Sequence, residues 1–523
     1  MKDGEVNDVL HRVIENARRD AQRVAVKDAN EMLTYGELVE VTGRAAVALT
    51  ARGVAPGDRV VLLLQNSIDF VVGALASLWI GAIFVPLDAT DPAQRQASLI
   101  ADCRPTVVLS NGVAENSGLA EVLDTSRFLS VAELLIDVVD TMPATPVGAR
   151  PAYIIYTSGT TGTPKGVVIG NVAFDAGVSS CCDELGLGPT TRSLLVSPLH
   201  FDGSFDTLFT TLISAGTLIL RPRESLLFPR IFFNTVIEEG VTYTGFTPSY
   251  LRNLRSDPQF DRLATSDLEI IALGGEACSV GDLHGIWSVL PQVRVFNRYG
   301  PTETTIAVTH AELTPTSVAS GIVTIGKPHP GLRFFLIDEF GRTIDEPNVA
   351  GELCISGSQL MDGYWNSPDL TAEVLRTDIV AGERLYRTGD NVYRTDADEY
   401  VYVGRADRVV KRSGIRISLL EITDAFCAID DVSAATSVVF DHDGVLGIAT
   451  FLVTSSEISK VDLYRQAREI LPASMLPDHI IVVNSIPLLP SGKTDDNALL
   501  AGAGLKSLVK GALENEVRHL SQT

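Results

Sequence analysis

YTSGTTGTPKG, residues 156–166, places three glycines, five Ser/Thr hydroxyls and one lysine in eleven positions. The stretch reads as a phosphate loop. Gly159 and Gly162 admit φ > 0 and let the backbone approach a polyanion, successive N–H groups form an anion nest, and Thr157, Ser158, Thr160, Thr161 and Lys165 add donors. Many runs of this composition are plain turns. Here the apolar segment 152–156 precedes the run and 167–169 follows it, so two strands are expected to hold the loop between them. The pattern is not a Walker A motif. The triplet Gly492-Lys493-Thr494 has Pro487 where that motif requires its first glycine.

At 523 residues the chain exceeds one ordinary core, so two or three domains are expected. Hydrophobic residues make up 45% and charged residues 20%, the balance of a globular protein. A net charge of −23 argues against a nucleic-acid partner, which needs a basic footprint. The six cysteines form no C-x-x-C pair and have no zinc-like spacing with the eight histidines, as expected of reduced thiols in a cytoplasmic protein. The N-terminus alternates charges and lacks the apolar run of a signal peptide. Residues 70–87, FVVGALASLWIGAIFVPL, are uncharged and long enough to raise a membrane span. The small residues and the acidic turn that follows favour a buried helix that breaks at Gly81 and continues as a strand at 83–87. No membrane association is expected.

Taken in order, residues 9–21 have helical spacing, a second helix is expected from Leu33 to about Arg52, and Val60–Leu64 reads as a strand. Strand and helix alternate past residue 110, which predicts parallel, doubly wound α/β sheets. The acidic stretch 137–151 reads as a connection into the loop strand, and 351–365 as strand and hairpin structure.

An ordered series of stretches now accompanies the loop: LTYGEL (33–38), GAIFVPLD (81–88), SPLHFDGSFD (197–206), LGGEA (273–277), NRYGPTE (297–303), YRTGD (386–390), GRADRVVKRSGIRISLLEI (404–422), LPASMLP (471–477) and PSGKT (490–494). Together they resemble the adenylate-forming superfamily, which includes acyl-CoA synthetases, luciferases and the adenylation domains of nonribosomal peptide synthetases. The resemblance implies a large N-terminal domain, residues 1–407, of doubly wound sheets plus a β-barrel-like part. A small mobile α+β domain, residues 408–523, would carry the catalytic lysine, with the hinge at Asp407. ATP and Mg²⁺ are implied as cofactors.

By the same resemblance, Tyr299 stacks on adenine near Gly274, Gly275, Asn297 and Gly300, Thr302 touches the α-phosphate, and Glu303 ligates magnesium, for which carboxylate oxygen is a suitable hard ligand. Asp390 accepts the ribose hydroxyls, Arg405 contacts ribose or phosphate, and Lys493 bridges the substrate carboxylate and α-phosphate. Asp202 corresponds to the aspartate that holds the substrate ammonium in amino-acid-activating members, whereas fatty-acid-activating relatives bind no such cation. An isolated Asp at this place could instead cap the following helix.

The substrate pocket aligned through these motifs comprises Phe201, Asp202, Gly203, Asp206, Gly245, Ala272, Gly274, Arg298, Ile306 and Ala307. Asp206 and Arg298 depart from an apolar α-amino-acid pocket. Either they pair with each other or one reads a polar group of the substrate. HFDGSFD, LLFPRIFF (226–233) and GFTPSYL (245–251) resemble free-standing enzymes that activate β-amino acids for macrolactam biosynthesis. That reading favours transfer to a separate carrier protein. The segment after Leu499 is too short for a carrier domain and has the apolar spacing of one amphipathic helix from residue 505. An α-amino-acid or D-alanine-type carrier ligase, an acyl-CoA synthetase and a non-catalytic protein of the same fold remain as alternatives.

Overall fold

The strand Pro151–Thr157 pairs antiparallel with Lys165–Gly170, with Thr157 opposite Lys165, so the two ends of the phosphate-loop stretch are clamped in one sheet. The computed structural model describes residues 8–111, 119, 128–135, 148–157, 164–405, 409–442, 445–454, 458–487 and 494–507. Ser158, Gly159, Thr160, Thr161, Gly162, Asp407 and Lys493 lie outside them.

That clamp belongs to a sheet ordered Gly363–Tyr364, Lys165–Gly170, Pro151–Thr157, Ile83–Pro86, Arg59–Leu63, Val107–Ser110 and Phe128–Leu129. Its middle strands run parallel. The helix Ile68–Ile80 makes the crossover between Arg59–Leu63 and Ile83–Pro86 and buries every residue except Asp69. Gly81 ends it at φ 73°, where a residue with a Cβ would be strained, and the chain re-enters the sheet at Ile83. The apolar 70–87 stretch is therefore core. No helix among the described residues is long and apolar enough to cross a membrane.

A second sheet runs in the order Lys327–Pro328, Thr309–Leu313, Arg294–Tyr299, Ile270–Gly274, Tyr243–Phe246, Arg192–Leu195, Thr217–Ile219, Val24–Lys27 and Met32–Thr34. Between the sheets, Phe84, Tyr153, Phe174, Phe205 and Phe209 form a cluster with ring centroids 4.9 to 6.5 Å apart. Each such contact adds about 0.5–1.5 kcal/mol beyond area burial. Phe205 and Phe209 belong to the helix Gly203–Ile213, so this cluster fixes the helix that carries Asp206 and follows Asp202. A third, antiparallel sheet contains Leu332–Ile337, Gly351–Gly357 and Leu385–Arg394.

The C-terminal part begins with the hairpin Val409–Arg412 and Ile415–Ser418. Its sheet pairs Val432–His442 with Val445–Thr454, adds His479–Val482 in parallel, and is edged by Lys506–Ser507. Ile417, Ile422, Phe426, Leu452 and Leu463 anchor a core separate from the larger ones.

Two expectations change. Met32–Thr34 is a short strand antiparallel to Val24–Lys27, and the helix starts only at Tyr35, where Thr34 and Glu37 form a capping box. Leu505 does not open a helix. Lys506 and Ser507 pair with Asp441 and Phe440, and the remainder of that amphipathic stretch lies outside the described residues.

Candidate active site

A cavity of about 390 Å³ opens where the C-terminal ends of the second sheet's strands meet the C-terminal hairpin. Gly245, Ala272, Gly274 and Arg298 reach it from three neighbouring parallel strands, and Asp202, Gly203 and Asp206 come from the start of the helix Gly203–Ile213. Phe201, Gly275, Tyr299, Gly300, Thr302, Ile306, Ala307, Thr157, Asp390 and Arg405 also line it.

Asp202 is buried, and its side chain does not cap the helix that follows it. Its Oδ2 accepts from the Ile306 amide at 3.2 Å and its Oδ1 from the Thr302 hydroxyl at 3.3 Å. Among the described residues no cation forms an ion pair with it. Burial, reinforced by the charge of Glu303 and only partly offset by the two hydrogen bonds, pushes its carboxyl up to about 7. Thr302 thus contacts Asp202.

Arg298 and Asp206 pair with each other: Arg298 Nη1 donates to Asp206 Oδ2, which also accepts from the Tyr243 hydroxyl at 3.3 Å. Both side chains are buried, and Arg298 Nε, Arg298 Nη2 and Asp206 Oδ1 have no hydrogen-bond partner. Burial disfavours the guanidinium charge, but Asp206 more than compensates and raises the Arg298 pKa.

On another wall of the cavity, Asp390 Oδ2 accepts from the Tyr299 hydroxyl at 2.6 Å and Oδ1 from Arg405 Nη1 at 2.7 Å. Each carboxylate oxygen has further acceptor capacity. Lys411 Nζ lies 5.5 Å from the centre of the Tyr299 ring. Gly275, at φ 81°, meets Gly414 of the hairpin so closely that an added Cβ would stand 3.1 Å from its Cα. Asn297 differs from expectation: it does not line the cavity and donates to the Thr324 carbonyl at 2.8 Å, tying two segments of backbone together.

Glu303 is fully buried behind the cavity. It accepts from the Tyr364 hydroxyl at 2.8 Å and from Arg416 at 3.0 and 3.2 Å. Burial opposes its charge, but Arg416, Lys165 and the Tyr364 hydroxyl outweigh burial and hold the carboxyl down to about 2. Lys165 Nζ sits 4.6 Å from the centre of the Tyr364 ring. With a guanidinium on both oxygens, Glu303 does not fit a magnesium ion in this arrangement of the hairpin.

Sequence reading missed Lys411 and Arg416, although both stand in the stretch 404–422. Their signal was the run of cations in a strand-forming segment, but only the docking of the hairpin shows which body they serve. Docking is reinforced by Arg95 and Glu421 at 2.6 Å and by the Gly414 amide on Glu276 at 3.1 Å. Phe201 also packs against the C-terminal core.

Residues 13–365 match the family described as AMP-binding enzyme. Tyrocidine synthase 3 of Brevibacillus parabrevis is 31% identical over 495 residues, which is 93% of this chain and 7% of that protein. The dimodular nonribosomal peptide synthase of Bacillus subtilis (strain 168) is 33% identical over 91% of this chain and 21% of its own length. The chain therefore spans only a small part of these relatives. The solved structure of holo-PA1221, an NRPS protein containing adenylation and PCP domains, shares the fold with a TM-score of 0.83 and 25% identity, over 95% of this chain and 84% of that one. The amide bond synthetase McbA from Marinactinospora thermotolerans shares it with a TM-score of 0.83 and 24% identity, over 95% and 99%. The chain belongs to the AMP-binding enzyme family and has the adenylate-forming architecture of nonribosomal peptide synthetase adenylation domains.

Proposed function

We propose that the protein adenylates the carboxylate of an amino acid with ATP and passes the aminoacyl group to the phosphopantetheine thiol of a carrier protein. The observation that carries this reading is Asp202, a buried carboxylate on the cavity wall that has two hydrogen bonds and no ion pair among the described residues. A substrate ammonium would supply the missing charge, and without it the ionised group is poorly compensated. A fatty acid leaves Asp202 unused.

The reaction begins with attack of a substrate carboxylate oxygen on the α-phosphorus of ATP, and the bond to the bridging oxygen breaks with loss of pyrophosphate. A thiol sulfur then attacks the acyl carbon, its proton leaves, and AMP departs. Positioning and charge placement dominate such chemistry. Asp202 orients the amino acid, Tyr299 and Asp390 form the nucleotide end, and Lys493 is assigned to the α-phosphate by its place in the ordered series. No step is routed through Glu303, because Arg416 occupies it.

A β-amino acid is the favoured substrate, on the resemblance of HFDGSFD, LLFPRIFF and GFTPSYL. Arg298 would read an acceptor group at the far end of the substrate, using the nitrogens that Asp206 leaves unpaired. The carrier partner is supported by a structural neighbour whose name includes a PCP domain. An α-amino acid is the second reading, because Asp202 would pair with the ammonium of either class. Pyrophosphate exchange into ATP across α-amino, β-amino and fatty acids tests the assignment. Exchange confined to amino acids is expected, and exchange with fatty acids alone would overturn it.

A further inference from the structure

Away from the cavity, Glu184, His310 and His329 converge from three elements: the end of the helix Asn171–Leu185, the strand Thr309–Leu313, and the residue after the strand Lys327–Pro328. Their ligand atoms lie within 4.8 Å of one another. Glu184 Oε2 stands 2.5 Å from His310 Nδ1 and 3.0 Å from His329 Nε2, and the His329 side chain is 0% exposed. Each of these three atoms is buried and none has a hydrogen-bond partner of good geometry.

Behind His329 stands the side-chain amide of Gln359. Gln359 Nε2 donates to the carbonyls of Thr304, Thr305 and Ala307 at 3.3, 3.1 and 2.8 Å, which leaves its Oε1 as the acceptor 3.3 Å from His329 Nδ1. With Nδ1 turned to Gln359, Nε2 is the His329 nitrogen that faces the Glu184 carboxylate. A carboxylate oxygen set between two imidazole nitrogens at 2.5 and 3.0 Å calls for positive charge beside it, which a proton or a metal ion can supply. An amide oxygen that holds a ligating imidazole from its other nitrogen is a common support in metal centres.

The geometry points to a binding site for a divalent transition metal of the zinc class, held by Glu184 Oε2, His310 Nδ1 and His329 Nε2. Two imidazoles and one carboxylate form a ligand set that zinc accepts, with bonds of about 2.0–2.2 Å. Glu184 must withdraw slightly from His310 to admit the ion, and its place in the last turn of the helix allows this. His310 is the cross-strand partner of Arg298, so the ion would tie helix, strand and loop together behind the substrate cavity. Its role would be structural.

The test uses the full chain stripped with EDTA and dialysed against micromolar Zn²⁺, in a Cys427→Ser background because Cys427 is an exposed thiol. One zinc per chain is expected, with affinity at least tenfold lower in Glu184→Gln and in His310→Gln, and a visible Co²⁺ absorption band in the parent that both variants lose. Failure of the parent to retain zinc would overturn the site even if a variant does not fold. Unchanged zinc binding in the two variants would do the same. Either result would leave Glu184 as a carboxylate packed between two histidines.

Discussion

Arg416 Nη1 donates to both carboxylate oxygens of Glu303, at 3.0 and 3.2 Å, and so joins the C-terminal hairpin to the buried wall behind the cavity. Breaking a buried ion pair from one side leaves an uncompensated charge and commonly costs ~3–5 kcal/mol. Because this pair links two bodies, the loss should fall on docking. Arg416→Gln is expected to raise amide exchange through residues 409–418, including the Gly414 amide that rests on Glu276. The Glu303 carboxyl, held at about 2, lies below its ordinary value of about 4.3, so its contribution is present above that pH and is lost as pH falls toward 2. Acid should therefore reproduce the exchange pattern of the variant. Unchanged protection in both experiments would contradict the latch.

Asp202 titrates in the opposite sense. Its carboxyl is raised to about 7 by burial, so the unliganded protein loses that group's stability contribution as pH rises from about 4 toward 7. An ammonium substrate restores it by pairing with the ionised form. Binding at pH 6 should release about one proton per site and binding at pH 8 almost none. Titration calorimetry in buffers of different ionisation enthalpy measures this directly. The same proton release in Asp202→Asn would remove Asp202 from the event.

Arg298 and Asp206 should behave as one unit. Arg298→Met alone strands a buried carboxylate, with an expected loss of ~3–5 kcal/mol. The double change Asp206→Leu with Arg298→Met should recover most of it, as for buried pairs replaced by apolar groups. Denaturant unfolding of the four proteins completes the cycle, and purely additive losses would show that the pair is not coupled.

Gly300 allows the backbone of NRYGPTE to fold against the pocket wall. A Cβ there would stand 2.5 Å from the Ile306 carbonyl and 2.6 Å from the Ala307 Cα. Gly300→Ala is expected to displace Ile306, whose amide serves Asp202, and to raise the KM for the amino acid more than that for ATP. Equal effects on both substrates would contradict this.

The sequence made local features legible where one residue type has one use. Gly81 marks the break of a buried helix, the flanks of YTSGTTGTPKG form the clamp, and the motif residues Asp202, Thr302 and Asp390 meet at one cavity. It left Asp206 and Arg298 open between pairing and substrate reading, because residues 92 positions apart reveal their contact only through the parallel sheet. Arg416 on Glu303 was out of reach for the same reason, being set by how the hairpin docks. Leu33 was misjudged because LTYGEL carries a capping box whose preceding residues also suit an edge strand. Glu184, His310 and His329 escaped because they come from three elements and no short spacing announces them.

The central claim is that Asp202 recognises a substrate amine, and one measurement addresses it most directly. Pyrophosphate exchange is compared for the best amino acid substrate and for the same carboxylic acid without its amine, in the parent protein and in Asp202→Ala. The account predicts that the parent strongly prefers the amine-bearing acid. Asp202→Ala should lose that preference through a large rise in the amino acid KM, with the KM for ATP little changed. Equal exchange of the two acids by the parent, or a preference that survives Asp202→Ala, would contradict it.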